Sequence, residues 1–299
     1  MSLRSLTPKL FGIIAAISLS ACAAVGTQTE SARVAAQDTH PVSFEQIRNA
    51  TVKVSYGDTT FLIDPMLAEK ETYPTAPGAF NDHLRNPRVD LPTSIDKVIQ
   101  ADAVIVTHLH FDHWDEAAKQ HIPKDMPIFA QNPEDAEKIR EAGFRDVRVF
   151  GEGTEFNGVR LTKTSGQHGS DAAMAVRGPQ LGKVSGVVFQ RPGFKTLYLA
   201  GDTVWNQHVE TALAAYRPDV IVLNTGYVRF KGLDGAIIMG KEDLLRASRA
   251  VPTAYIIASH MDALSHATQS RKELAEFIAE KQLDPKRVLI PEDGQSYTF

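Results

Sequence analysis

Apolar residues recur along this chain at one of two periods, and the switches between them mark the elements. "ATVKVSYG" (50–57) alternates apolar and polar, turns at Gly57-Asp58 and resumes as "TTFLIDP", which predicts a β-hairpin. "ADAVIVTH" (101–108) and "PDVIVLNTG" (218–226) are continuous apolar runs, the pattern of strands covered on both faces. Further strands are predicted in "MPIFAQ" (126–131), "DVRVFG" (146–151), "TAYIIASH" (253–260) and "KRVLIPEDG" (286–294). "EFNGVRLTKTSG" (155–166) reads as a second hairpin, and 184–202 as two strands around an Arg191–Phe194 turn. Helical spacing appears in 114–122, 133–143, 204–216, 239–251 and 270–283, with Asp112 or His113 near the first N-cap, Pro133 opening the second helix and Gly143 closing it. Hairpins and strand–helix units occur in both halves. The expectation is an α+β fold of two sheets packed face to face with helices outside, as one domain over 41–299. Residues 66–94 break the pattern: they are proline-rich and irregular, as expected of a functional rim.

The N-terminus follows another logic. Arg4 and Lys9 precede an apolar run from Leu10 to Ala21 that is shorter than a membrane span. That arrangement reads as a secretory signal. Leu19-Ser20-Ala21-Cys22 resembles a bacterial lipoprotein box, which implies a signal over 1–21 and lipidation of Cys22; an ordinary signal cut near Ala24 is the alternative. Residues 22–40 then read as a flexible tether. The location implied is the cell envelope, with a periplasmic domain held to a membrane by its lipid. Cys22 is the single cysteine, so the domain contains no disulfide. Removing 1–21 takes away Arg4 and Lys9 and no acid, moving the formal charge from −4 to −6. An acidic domain of this kind is a poor nucleic-acid binder, because such binding needs Lys and Arg against phosphate.

"THLHFDHWD" (107–115) spends three of the ten histidines within nine positions. His108, His110, Asp112 and His113 follow a buried strand and precede a helix, so they sit on a loop at a strand's C-terminal end, where α/β proteins place chemistry. Imidazole nitrogen and carboxylate oxygen suit a divalent metal such as zinc.

The H-x-H-x-D-H spacing resembles the signature of the metallo-β-lactamase fold, a four-layer αββα sandwich that carries binuclear metallohydrolases. Three further ligands of that family find matches here in order, each after a predicted strand: His168 in "SGQHGS", Asp202 in "LYLAGDT" and His260 in "YIIASHMD". The resemblance covers roughly residues 44–299. It implies that His108, His110 and His168 hold one metal, that Asp112, His113 and His260 hold a second, and that Asp202 bridges them. The implied cofactor is a pair of divalent ions, zinc first, with manganese or iron as alternatives. The implied chemistry is attack by a metal-bridging hydroxide, with Asp112 and His266 as candidate catalytic residues.

Asp202 and the lack of a ligating cysteine lean away from antibiotic hydrolysis and toward thioesterases, lactonases and phosphodiesterases. "IRNATVKVSYGDTTFLIDPML", "AGDT" and "SHMDALSH" are similar to ascorbate-6-phosphate lactonase-like and N-acyl-phosphatidylethanolamine phospholipase D-like proteins. The expected substrate is a small-molecule or lipid-like phosphodiester, lactone or related ester. Two other readings stand beside it: a metal- or ligand-binding lipoprotein without turnover, and a di-iron oxidoreductase on the same fold. Asn224, Tyr227 and Trp114 are candidates for lining a pocket, His83 for touching substrate from the rim, and His40, His121 and His208 read as surface residues.

Overall fold

The hairpin at 50–65 forms, and a strand that periodicity did not single out extends it on the N-terminal side. The computed structural model describes residues 40–299. β1 (Val42–Arg48), β2 (Thr51–Tyr56) and β3 (Thr59–Ile63) make an antiparallel meander. The alternation of β1 is hidden because Gln46 and Arg48 are buried along with Ile47. β4 (Ala103–Val106), β5 (Ile128–Ala130) and β6 (Val147–Val149) continue this sheet in parallel. The second sheet repeats the plan. β7 (Thr154–Phe156), β8 (Val159–Ser165), β9 (Ser185–Gln190) and β10 (Leu197–Leu199) are antiparallel neighbours. β11 (Val220–Asn224), β12 (Tyr255–Ser259) and β13 (Val288–Leu289) then add in parallel. A last short strand, β14 (Ser296–Thr298), returns to pair with β1 at the far edge of the first sheet.

Parallel neighbours need crossovers, and these are the helices. α1 (Ile95–Val98), α2 (Glu116–His121) and α3 (Pro133–Glu141) pack on the first sheet, while α5 (Gln207–Tyr216), α6 (Lys241–Ala250) and α7 (Arg271–Glu280) pack on the second. The continuous apolar strands explain how one sheet serves two layers. In β4, Ala103 and Ile105 enter the core between the sheets, whereas Val104 and Val106 face the helices. In β11, Val220 and Val222 face the other sheet, and Ile221 and Leu223 face the helices. The result is the four-layer αββα sandwich of the metallo-β-lactamase fold. None of the helices among the described residues is long and apolar enough to cross a membrane.

Local chemistry sets the helix ends. Ser270 and Glu273 form a reciprocal capping box at α7. The cap of α2 is Asp115, not Asp112 or His113: its carboxylate accepts from Ala118 N at 2.7 Å. Trp114 is buried against Phe144 beside this helix and does not reach the site cavity. Two helices were missed altogether, the single turn of α1 and a longer one. α4 (Asp171–Leu181) contains Gly178 and Pro179, and only Ala173 and Leu181 are buried, so it has almost no apolar stripe to read. It packs instead in a separate small cluster with Ala79, Val228, Phe230 and Ile237.

The 66–94 segment is irregular as expected, and it is pinned. The fully buried Arg48 guanidinium donates to the carbonyls of Met66 at 2.8 Å, Ala68 at 2.9 Å and Val89 at 3.0 Å. His40, placed by sequence in the tether, forms a bridge with Phe194 and stacks on its ring at 4.9 Å. The expected signal segment over 1–21, Cys22 and the expected tether up to residue 39 lie outside the described residues.

Candidate metal centre

Six strand ends meet at one rim of the sandwich. Asp64 follows β3, the Thr107–Asp115 loop follows β4, His168 follows β8, Asp202 follows β10, Asn224 ends β11 and His260 follows β12. The structure brings together all seven residues singled out as metal ligands. His108, His110 and His168 form one group, and Asp112, His113, Asp202 and His260 a second, with the ligand atoms of each within 4.8 Å of one another. Asp202 Oδ2 is central to both groups. It lies 3.1 Å from His113 Nε2, 3.5 Å from His168 Nε2, 3.6 Å from His260 Nε2 and 4.0 Å from His108 Nε2.

The backbone around this cluster is demanding. His260 itself sits at φ 61°, and its N–H donates to the Asn49 carbonyl at 3.1 Å. A Cβ on Gly226 would lie 2.2 Å from the His260 carbonyl oxygen, so only glycine fits there. Asn49, at the tip between β1 and β2, also donates to the Asp112 carbonyl at 3.1 Å.

Hydrogen bonds on the outer side of the rings set which nitrogen faces inward. His113 Nδ1–H donates to Asp64 Oδ2 at 2.8 Å, His168 Nδ1–H to the Ile237 carbonyl at 2.9 Å, and His110 Nε2–H to the Gln180 carbonyl of α4 at 3.0 Å. Thr107 Oγ1 spends its proton on Asp64, so it accepts from His108 Nδ1–H at 3.2 Å. The inward nitrogens of His108, His110 and His168 therefore carry lone pairs, whereas His113 Nε2 faces Asp202 Oδ2 at 3.1 Å. Two such contacts are close: His108 Nε2 to His110 Nδ1 at 3.0 Å, and His168 Nε2 to His110 Nδ1 at 3.2 Å. Lone pairs facing each other at that range repel unless a cation lies among them. The donor set thus fits metal, as its chemistry alone suggested. Asn224 Nδ2 donates to the other Asp202 oxygen, Oδ1, at 2.7 Å, leaving Oδ2 for the cluster.

Electrostatics agree. Burial lowers His108 well below its ordinary value, and neighbouring His113 and His110 add to the effect. Burial likewise takes His168 down to about 4. Burial opposes the charge on Asp112 and Asp202, but the surrounding imidazoles, His113 foremost, outweigh it and hold both carboxyls well below the usual range. Neutral imidazoles and ionised carboxylates are what a divalent ion requires. Burial resists protonation of His113 too, yet Asp202, Asp112 and Asp64 overcome it and push its value up. The buried acids demand positive charge at this position.

The cluster opens into a cavity of about 410 Å³ walled by Phe111, Leu181, Val228, Phe230 and Ile237, with Arg177 and His266 also on its lining. His266 is buried, its Nδ1 has no partner, and burial lowers its pKa to about 4. Rim residues hold its neighbour: Asn86 Oδ1 accepts from Ser265 N at 2.8 Å, and Asn81 Nδ2 donates to the Ser265 carbonyl at 3.1 Å. Asn224 and Tyr227 are not on the cavity wall; Asn224 supports Asp202, and the Tyr227 ring is exposed. His83, His121 and His208 are exposed. Sequence reading missed Asp64, Thr107, Arg177 and Phe230. Of these, Asp64 alone carried a signal, as an acid ending the strand "TTFLID".

Fold and site together define a class of protein. The model of the β-lactamase superfamily domain matches residues 59–261, and the chain belongs to that superfamily. Within it, the chain is 47% identical over 263 residues to UPF0173 protein YddR of Bacillus subtilis, covering 86% of this chain and 100% of that one. It is 29% identical over 158 residues to the UPF0173 metal-dependent hydrolase Ta0764 of Thermoplasma acidophilum, covering 52% of this chain and 66% of that one. The crystal structure of a possible metal-dependent hydrolase from Veillonella parvula superposes with a TM-score of 0.84 at 46% identity, over 86% of this chain and 99% of that one. That of isothiocyanate hydrolase from Delia radicum gut bacteria does so with a TM-score of 0.83 at 46% identity, over 87% and 99%. The chain is accordingly a metal-dependent hydrolase of the metallo-β-lactamase fold.

Proposed function

We propose that the seven-residue cluster is a binuclear centre at which this chain hydrolyses small electrophiles bearing an apolar group. His108, His110 and His168 would hold one ion, Asp112, His113 and His260 the other, with Asp202 placed to serve both. The observation that carries this reading is the position of Asp202 Oδ2, 3.1–4.0 Å from imidazole nitrogens of both groups. Bound there, two divalent ions, zinc in the first instance, would activate water as a nucleophile at neutral pH and polarise the substrate.

The chain's own residues do the rest. The Asp112 carboxylate takes the proton released as the water oxygen bonds to the electrophile. His266, kept neutral by burial, donates a hydrogen bond to charge developing on the substrate. Phe111, Phe230 and Ile237 seat the apolar group and displace water. Lactones and related esters fit such a cavity. So does an isothiocyanate, the substrate named for the 46%-identical relative. There the water oxygen bonds to carbon, the carbon–nitrogen bond breaks, and nitrogen takes both protons, giving an amine and carbonyl sulfide. Phosphodiesters fit less well, because the walls are mainly apolar and carry a single arginine.

Elemental analysis of the purified protein and its Asp202→Asn form, with turnover of benzyl isothiocyanate and a lactone panel, tests the proposal. About two ions per chain in the wild type, falling in the variant with turnover, is the expected result. Metal retained without hydrolysis of any substrate would favour a binding protein, and redox-active iron would favour an oxidoreductase. One ion or none after metal supplementation would remove the binuclear reading.

A further inference from the structure

Phe230 contacts two polar groups on the cavity wall. The Arg177 guanidinium lies 5.1 Å from its ring centroid, and the His266 ring lies 5.9 Å from it at 31°. Arg177 is half-buried on α4 and lines the same cavity as His110, Asp112 and His260. Among the described residues it has neither an ion-pair partner nor a hydrogen-bond acceptor, and its one interaction there is the contact with the Phe230 ring. The other half-buried arginines each have a polar partner: Arg271 has Asp262 and Asp293, Arg88 has Glu71, Arg191 has Asp58, and Arg287 has the Ala254 carbonyl. Close by, a Cβ on Gly78 would approach Arg177 Nη2 to 3.3 Å, so the absence of a side chain there keeps the guanidinium uncrowded.

A cation on an apolar wall is costly unless something answers its charge. The contact with the Phe230 ring takes up no hydrogen-bond acceptor, so the guanidinium N–H donors are left for a partner, in the fork that fits a carboxylate. We infer that Arg177 is the recognition point for a carboxylate on the substrate. The substrate class is then a hydrolysable electrophile joined by an apolar spacer to an anionic tail, with the spacer along Phe230. This inference rests on the reading of the cavity as the substrate pocket. It makes Arg177 a specificity residue rather than a catalytic one.

Isothermal titration of metal-loaded protein separates this from simple apolar binding. The probes are benzyl mercaptan, whose thiol supplies a metal-seeking head, and its 3- and 4-carboxylate derivatives. The better acid should bind wild type about tenfold tighter than benzyl mercaptan, the gain expected of one charge-assisted pair. The ratio should fall toward one in Arg177→Met and return in part in Arg177→Lys. A wild-type ratio of one, or a preference that survives Arg177→Met, would overturn the inference. Turnover of benzyl isothiocyanate is followed in parallel. Its absence would count against the proposed hydrolysis, while the thiol ratios would still decide the role of Arg177.

Discussion

The His113–Asp64 pair shows how much a single hydrogen bond governs at the cluster. Asp64 accepts from Thr107 N and Oγ1, both at 2.7 Å, and from His113 Nδ1 at 2.8 Å. Its carboxylate thereby orients His113 directly and His108 through Thr107. Replacing Asp64 by Asn keeps the size but turns one accepting oxygen into a donor. Metal affinity should fall about 10–100-fold, the usual cost of losing such a support. Competition for metal with a chromophoric chelator measures it, and an unchanged affinity would show that ring orientation comes from packing alone. The outward nitrogen of His260 has no partner. Its position is held instead by its left-handed backbone and the fit against Gly226.

Among the elements, the 66–94 rim behaves as a built part although it contains no regular structure. Arg48 from β1 gathers three of its carbonyls, while Asn81 and Asn86 clamp the loop that carries His266. Burial lowers the Arg48 pKa to about 10, so the guanidinium remains charged at neutral pH. Arg48→Met would strand those carbonyls in the interior. A loss of about 3 kcal/mol is expected, from roughly 1 kcal/mol per buried acceptor left unmade. Urea unfolding checks this, and a loss below about 1 kcal/mol would mean that the rim anchors itself. α4 makes the complementary contribution: the Gln180 carbonyl near its end accepts from His110 Nε2–H, coupling the cavity wall to the cluster.

Across the whole molecule, the two sheets are tied at one rim through residues from both, since Asp64 and the 107–115 loop belong to the first and His168, Asp202 and His260 to the second. Metal held between them binds the folded state alone. Stripping it with a chelator should therefore lower Tm by roughly 5–10 °C, with recovery on readdition. An unchanged Tm in verifiably metal-free protein would mean that the sandwich closes without help. The sequence by itself determined most strand and helix periods, the sandwich class and the His108, His110, Asp112 and His113 motif, because buried strands and closely spaced ligands leave local patterns; His168, Asp202 and His260 were legible only through the family resemblance. The sequence did not reveal β1, whose buried polar residues hide the alternation, α4, which has little apolar stripe, or the short α1 and β14, which are too brief to show a period. Nor did it reveal Asp64, Arg177 and Phe230 as partners of the site. Those roles depend on residues distant in sequence arriving at the same strand ends, which only the packing of two sheets decides.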